Sequence, residues 1–282
     1  MTLRVCGASP AASASTGRSY VDVLRAAVRF ARKTVTITEL EARRLRHDPT
    51  ELITRALQPA LWLLVFGQVF TRTRAIPTGD LPYIDFMAPG ILAQSVLFIA
   101  IFYGIAVIWE RDLGIIHKLL VSPASRGALV VGKGVSAGLR GLAQAVIVYV
   151  LALSLGVRLQ FGAGSLIVVA LLVVLSSALF ATFSLIVACV VKTRERFMGI
   201  GQLLTMPLFF ASNAIYPISL MPTWLGVVAR VNPLTYLVDA LRTLLIVGAV
   251  SAAGVGLDFA VMAVVFVLLA GAAARLYPGL AR

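Results

Sequence analysis

The segment that comes closest to a catalytic motif runs from Gly127 to Lys133. Its sequence, Gly-Ala-Leu-Val-Val-Gly-Lys, matches the first seven positions of the loop that cradles phosphates in many ATPases. Gly134 follows, where such a loop needs a serine or threonine to hold Mg²⁺, and the sequence predicts no strand before the motif. The segment also runs into an apolar stretch that no soluble nucleotide-binding fold could surround. We therefore interpret the match as accidental and expect no ATPase in this chain.

Other residues that perform chemistry are few and scattered. His47 and His117 are the only histidines, and neither has a cysteine or histidine at metal-ligand spacing. Cys6 and Cys189 have no partner motif, so we interpret them as incidental thiols. No nucleophile and base stand together in the sequence. We expect no enzyme activity, no cofactor and no metal on this chain.

The composition indicates a membrane protein. Hydrophobic residues make up 60% of the chain and charged residues 13%, whereas soluble domains carry about 25% charged residues. Residues 86–109, 159–191 and 197–229 carry no charge at all. A helix that crosses a bilayer needs about 20 mostly apolar residues. The sequence therefore predicts an all-α protein that crosses the membrane several times.

We predict six transmembrane helices within a membrane domain at residues 53–275. A tail at 1–19, connecting helices at 20–52 and a second tail at 276–282 complete the predicted organisation. Arg55, Arg140 and Arg275 lie near predicted span ends, where long side chains can reach the headgroups. The spans are predicted at 53–71, 86–108, 135–156, 166–190, 198–218 and 255–275.

The net charge of +13 is distributed unevenly across the predicted topology. Nineteen lysines and arginines lie before or at the start of the first span, in the loops after spans two and four, and at or after the end of the last span, whereas five lie in the other loops. Positive residues remain on the cytoplasmic side, so we expect both termini to lie on the cytoplasmic side of a bacterial plasma membrane. The basic excess is therefore a topology signal, and no motif for nucleic-acid binding accompanies it.

A basic amphipathic helix is predicted ahead of the first span. Tyr20, Val23, Leu24, Ala27, Val28 and Ala31 share one face at helical spacing. Such a helix can lie flat on the inner leaflet and bind anionic lipids, or it can pack on a soluble partner. The residues that we expect to contact lipid are Arg25, Arg29, Arg32 and Lys33.

A second amphipathic segment lies between spans two and three. Leu113, Ile116 and Leu120 form a helical stripe, and Ser122-Pro123 would end the helix. Glu110 and Arg111 flank the stripe at its start. This helix is too polar to span a membrane but could dock in a groove on a partner, and a plain interfacial loop is the alternative.

Two motifs in this chain resemble those of the ABC type-2 transporter permease family, in particular its daunorubicin-resistance branch. The first comprises Glu110-Arg111-Asp112, Gly114, Leu119 to Pro123 and Gly132-Lys133. The second comprises Tyr216-Pro217, Pro222 and the run from Asn232 to Arg242. The resemblance covers residues 38–275 in matching order and spacing.

The resemblance implies a two-fold assembly of two six-helix permeases, identical or paralogous, with two ABC ATPase subunits. ATP and Mg²⁺ would bind on the ATPase, which would dock on the short cytoplasmic coupling helix. The coupling residues that it implies are Glu110, Arg111, Leu113, Gly114, Ile116, Leu120 and Pro123. ATP-driven movement would then pass through that helix to the bundle.

The outer segment 217–245 is too apolar for an open loop. We predict short re-entrant or interfacial helices bent at the prolines, with aromatic residues at headgroup level. They could form an outer gate or a simple interfacial anchor. The residues singled out here are Tyr216, Pro217, Pro222, Trp224, Asn232, Pro233 and Tyr236.

Polar residues inside the predicted spans are sparse. We interpret Gln94, Gln144, Gln202 and Asn213 as hydrogen-bonding links between helices. The small-residue spacing of Gly134 and Gly138 could mark close helix packing, and a chance match is the simpler interpretation. A mostly apolar path suits a hydrophobic or amphipathic cargo such as a drug, natural product or lipid. A polysaccharide exporter and an ion-coupled secondary carrier are the alternatives.

Overall fold

The computed structural model describes residues 50–276 except for 75, 80, 114–125, 192 and 252–253. A first helical stretch consists of α1 (Thr50–Leu61), a π-helical turn (Trp62–Gly67) and α2 (Gln68–Thr73). Four long helices follow: α3 (Tyr83–Asp112), α4 (Arg126–Ser154), α5 (Ala163–Val190) and α6 (Arg194–Phe210). A 3₁₀ turn (Ile218–Leu220), two short helices, α7 (Thr223–Val231) and α8 (Pro233–Leu245), and α9 (Val255–Leu276) complete the described chain.

Four of the described helices are long and apolar enough to cross a membrane. They are α3, the Val130–Ser154 part of α4, α5 and α9. These helices agree with predicted spans two, three, four and six, although α4 begins at Arg126 rather than at residue 135. The all-helical membrane class is confirmed, and the full set of six spans remains a prediction.

The predicted first and fifth spans correspond to more irregular helices. The chain is helical from residue 50 to residue 73, but the π-helical turn interrupts this stretch. The fifth span was expected to reach residue 218, and this boundary is wrong because α6 ends at Phe210. Residues 1–49 and 277–282 lie outside the described chain, as do the predicted lipid-contacting residues Arg25, Arg29, Arg32 and Lys33.

Helices α3 and α5 form the centre of the bundle. Each packs against α4 and α8, and they also pack against one another. Helix α1 and α6 contact α3 from the outside, and α9 packs mainly on α5 and α8. Met87, Ile91 and Leu97 on α3 and Leu172 on α5 are fully enclosed. Burial of such side chains is the main term that holds the helices together within the chain.

The contact between α4 and α5 depends on glycine. A Cβ atom on Gly134 would lie 3.1 Å from Cβ of Ala178, and one on Gly138 would lie 3.0 Å from Cγ1 of Val174. Small residues allow two helix backbones to approach closely in a membrane. The interpretation of this spacing as a chance match is therefore wrong.

Candidate functional site

The first candidate region is the end of the bundle where α3 finishes and α4 and α6 begin. Glu110 and Arg111 lie in the last turn of α3, and Leu113 follows the helix with 66% of its surface exposed. The predicted coupling helix therefore does not start at residue 110, because residues 110–112 continue the predicted second span. The other predicted coupling residues, Gly114, Ile116, Leu120 and Pro123, lie outside the described residues.

Glu110 forms an ion pair with Lys133 of α4. Only 8% of the Lys133 surface is exposed, so this pair joins α3 to α4 in a largely buried position. Gly127 to Lys133 all lie within a helix that begins at Arg126, whereas the glycine-rich part of a phosphate-binding loop precedes its helix. The Gly127–Lys133 segment is therefore not a phosphate-binding loop, and its lysine has a structural partner.

Tyr103 of α3 lies between two cations of α4. The Nζ atom of Lys133 is 5.9 Å from the ring centroid, and the guanidinium carbon of Arg140 is 5.3 Å from it. Arg140 was expected near a span end; α4 begins fourteen residues earlier, at Arg126, and the depth of Arg140 in the membrane stays a prediction. The aromatic face of Tyr103 offers a favourable site for the charge of Arg140.

A second ion pair joins α3 to the start of α6. A terminal nitrogen of Arg194 lies 2.9 Å from a carboxylate oxygen of Asp112, and its guanidinium carbon lies 3.5 Å from the ring centroid of Trp109. Arg111 also contacts Asp112, at 3.2 Å. The last turn of α3 is thus tied to both neighbouring helices by side-chain contacts.

The opposite end of the bundle is organised around Asn232, which was predicted as an outer-segment residue. Its Oδ1 atom accepts a hydrogen bond from the N–H of Leu234 and caps α8. Its Nδ2 atom donates to the carbonyl oxygens of Leu208 (2.6 Å) and Ala211 (2.9 Å). One amide therefore links the start of α8 to the end of α6.

Arg242 of α8 supplies a second link at the same end. Only 8% of its surface is exposed. It donates to the carbonyl oxygens of Phe86 (3.2 Å) and Asn213 (2.7 Å), and its guanidinium carbon lies 3.8 Å from the centroid of the Phe86 ring. Arg242 thus joins α8 to the start of α3 and to the chain after α6.

The other predicted outer residues form turns and caps around these links. The hydroxyl of Tyr216 donates to the carbonyl of Phe210, and that of Tyr236 donates to the carbonyl of Arg230. Burial raises the pKa of the Tyr216 hydroxyl. Pro217 and Pro222 precede the 3₁₀ turn and α7, and Pro233 begins α8. Trp224 is 69% exposed.

A cavity of about 310 Å³ lies between α1, α3, α4 and α6. Gln94 and Gln144, buried on α3 and α4, face this cavity, and Gln202 of α6 contributes to its wall. In the described chain, no hydrogen-bond partner is present for Oε1 of Gln94 or for either polar side-chain atom of Gln144. The lining consists of Thr54, Gln58, Pro59, Gln94, Ser95, Phe98, Ile99, Phe102, Gln144 and Gln202.

This arrangement corrects our interpretation of the glutamines as links between helices. Gln94 and Gln144 face a shared space, and their unpartnered atoms are not spent on helix–helix hydrogen bonds. Sequence analysis also missed Thr54 and Gln58, which lie on the first helical stretch. Their three intervening residues place both on one helix face, which is the signal that could have identified them.

Comparison with known proteins gives a consistent family assignment. The family model described as ABC-2 type transporter matches residues 32–246. The daunorubicin resistance ABC transporter permease protein DrrB1 of Streptomyces coeruleorubidus is 27% identical over 236 residues, which cover 82% of this chain and 81% of that protein.

Two further relatives carry transport names. A candidate transport permease, ycf38, of Cyanophora paradoxa is 30% identical over 202 residues, covering 71% of this chain and 69% of its own length. The inner membrane transport permease YadH of Escherichia coli K12 is 24% identical over 197 residues, covering 68% of this chain and 73% of its own length.

Proposed function

The chain belongs to the ABC-2 type transporter family, and on that premise we propose that it is the membrane subunit of an ATP-driven exporter. A separate ABC ATPase binds and hydrolyses ATP. A second permease, identical or paralogous, completes the membrane part. The cargo is a hydrophobic or amphipathic compound that leaves the cell across a bacterial plasma membrane.

The observation that carries this proposal is the way in which the end of α3 is held. Glu110 and Asp112 form ion pairs with α4 and α6 respectively. The rest of the predicted coupling segment follows directly after Leu113, so a displacement of that segment by an ATPase would act on three helices at once. Packed helices respond to such a displacement as rigid bodies.

The nature of the cargo is supported by the relatives and by the positions of the buried acids. The Streptomyces relative is named for resistance to daunorubicin. Asp85 and Asp258 are the buried acidic residues of the described chain, and both lie in the first turn of their helices. An ion-coupled carrier would place such residues at mid-membrane, so this alternative is disfavoured.

The experiment measures ATP-dependent daunorubicin uptake into inverted membrane vesicles that contain the full chain and the ATPase that co-purifies with it. Ile116→Asp should release the ATPase or leave ATP turnover that no longer drives uptake, because buried apolar anchors dominate interfaces. Ile116→Val is the matched control and should retain uptake. Full uptake by Ile116→Asp would refute the docking role, and absence of any co-purifying ATPase would refute the proposal.

The proposed topology is tested separately by single-cysteine labelling of intact cells. Cysteines at positions 78 and 162 should react with an impermeant reagent from outside, and cysteines at 125 and 194 should not. Cys6 and Cys189 are first replaced by serine. Reaction at position 125 from outside would contradict the cytoplasmic location of the termini and of the coupling segment.

A further inference from the structure

We propose that the cavity between α1, α3, α4 and α6 binds the neutral, hydrogen-bonding part of an amphipathic molecule. The ligand class is a carboxamide, ketone or alcohol carried on an apolar ring system. This inference deepens the proposed function, and it rests on that function only in treating the ligand as cargo. Binding itself requires neither ATP nor the ATPase.

Glutamine is concentrated at this cavity. The whole chain contains six glutamines, at positions 58, 68, 94, 144, 160 and 202. Four of them, on four different helices, line this one space. An amide side chain that faces lipid loses its hydrogen bonds with water, so glutamine is unfavourable on a lipid-exposed helix face. The presence of four glutamines around one cavity therefore indicates that their polar groups are placed there to form hydrogen bonds in the cavity.

The two innermost glutamines are buried and have unsatisfied atoms. Gln94 is 3% exposed and Gln144 is 1% exposed. Oε1 of Gln94 and both Oε1 and Nε2 of Gln144 have no partner among the described residues. A buried amide without hydrogen bonds is costly, and buried polar groups in proteins are therefore almost always satisfied. These three atoms lie behind the cavity surface, so we infer that the two amide side chains rotate toward the cavity when a ligand offers them a donor and an acceptor.

The size of the cavity suits a ligand. A water molecule in the liquid has a share of about 30 Å³, whereas ligand sites have volumes of about 300–1,000 Å³. At about 310 Å³ the cavity has room for a small ring system or for one part of a larger cargo. Phe98 and Phe102, whose ring centroids are 6.2 Å apart, supply an apolar wall beside the amides.

The lining selects against charge. None of its ten described residues has an ionisable side chain. A carboxylate or ammonium group in the cavity would find no charged partner among these lining residues, and an unpaired buried charge is far more costly than an unpaired dipole. The chemistry of the lining therefore favours a neutral ligand.

The cavity opens on the side of the bundle. Gln58 and Gln202 are exposed at its mouth, and the neighbouring Leu57 (63%) and Leu203 (70%) are exposed beside them. Phe98 lies midway along α3, which runs from Tyr83 to Asp112. An apolar molecule dissolved in the bilayer could therefore enter at mid-depth and place its polar group against Gln94 and Gln144.

The experiment uses the purified full chain in lipid nanodiscs and three naphthalene probes. These are 2-naphthamide, 2-methylnaphthalene and 2-naphthoate, which share one ring system and differ in the polar group. Displaceable binding is measured by equilibrium dialysis against excess unlabelled probe. On the unmodified protein, 2-naphthamide should bind saturably and at least about tenfold more tightly than either of the others, because a net hydrogen bond corresponds to about that factor.

Gln94→Leu and Gln144→Leu should each weaken binding of 2-naphthamide about tenfold and leave 2-methylnaphthalene unchanged or tighter. Gln68→Leu, an exposed position of α2 outside the cavity, is the matched control and should bind like the unmodified protein. The leucines at positions 94 and 144 each replace a buried amide that has unpartnered atoms with an apolar group of similar size, so folding should be retained. A monodisperse size-exclusion profile checks this.

The inference would be overturned by equal affinity for the three probes, by absence of displaceable binding, or by a loss of 2-naphthamide affinity in Gln68→Leu equal to that in the cavity variants. Water would then be the occupant of the cavity. The probe comparison needs no variant, so it decides even if a leucine variant fails to fold. If saturable binding holds while ATP-driven uptake fails, the proposed function is wrong and the binding site stands. If uptake holds without saturable binding, the inference alone is wrong.

Discussion

The two ends of the bundle differ in how many of their links go to backbone carbonyl groups, although an ion pair is present at both, since Arg158 pairs with Asp85 at the start of α3. At the end where α3 finishes, Glu110 pairs with Lys133 and Asp112 pairs with Arg194, so side chains bond to side chains. At the other end, Asn232 and Arg242 donate to backbone carbonyl oxygens of α3, of α6 and of the chain that follows α6. In the first kind of bond both partners are side chains that can change rotamer, whereas in the second kind the acceptor is fixed to the backbone and only the donor side chain can rotate.

This difference suggests how movement could be distributed. The end where α3 finishes can rearrange when a partner protein binds, because a carboxylate or guanidinium of that partner can replace one member of the Glu110–Lys133 or Asp112–Arg194 pair. At the other end, buried donors bind backbone carbonyl groups, so we expect the start of α3, the end of α6 and α8 to move as one unit. Four substitutions test this contrast, beginning with the largest expected effect.

Arg242→Met should lower the free energy of unfolding by about 3 kcal/mol. It removes two charge-assisted hydrogen bonds and leaves the carbonyl groups of Phe86 and Asn213 without their donor. The measurement is the thermal unfolding midpoint of the purified protein in detergent. Arg230→Met, at an exposed position of α7, is the control and should change little. A small loss for Arg242→Met would show that this end is not fixed by the backbone bonds.

Gly90→Ala should cost about 2 kcal/mol. A Cβ atom there would lie 2.7 Å from Cα of Ala214, in the chain that Arg242 holds in place, so the backbone cannot easily yield. In Gly271→Ala on α9, the new Cβ meets no atom within 4 Å among those described. That control should be neutral or stabilising by up to about 1 kcal/mol. Similar unfolding midpoints for the two variants would contradict the close packing of this end.

Asn232→Ala should cost about 1.5 kcal/mol, through loss of a helix cap and of two further bonds. Asn232→Asp separates these roles, because it retains the cap acceptor but presents a carboxylate to the carbonyls of Leu208 and Ala211. The aspartate variant should be at least as unstable as the alanine variant in the same unfolding measurement. Stability equal to that of the unmodified protein would mean that only the cap matters.

Arg194→Gln should change stability by less than about 1 kcal/mol, since its ion pair with Asp112 is partly exposed. The difference from the unmodified protein should shrink as salt concentration rises. Unfolding midpoints at low and high salt measure both effects, with Arg196→Gln as the neighbouring control. A loss as large as that of Arg242→Met would remove the distinction between the two ends.

The sequence predicted the long helices because their signal is local. The charge-free stretches and the charges at their ends are sufficient to identify α3, α5 and α9. The end of α6 was not predictable in this way. The residues after Phe210 are as uncharged as those before it, and the helix ends where Asn232, more than twenty residues later, donates to Leu208 and Ala211.

The candidate sites show the same limit. Glu110 and Lys133 were both identified from the first family motif, but nothing in the sequence paired them, and Lys133 was also part of the pattern interpreted as accidental. Gln94, Gln144 and Gln202 were noticed as unusual residues, yet nothing local indicates that they face one cavity together with Gln58. The sequence shows which residues share a face of one helix. Which faces of four different helices point toward the same cavity is set by the packing of those helices.

The π-helical turn at Trp62–Gly67 has a consequence for how the chain could change by insertion and deletion. A π-helical turn accommodates an additional residue, and each residue of a regular helix advances the direction of its side chains by about 100°. Removing one residue from the π-helical turn would rotate α1 about its axis relative to α2. Thr54 and Gln58 would then point away from the cavity that they line. Length variation at this point would therefore alter the cavity wall while every residue that forms it stayed the same.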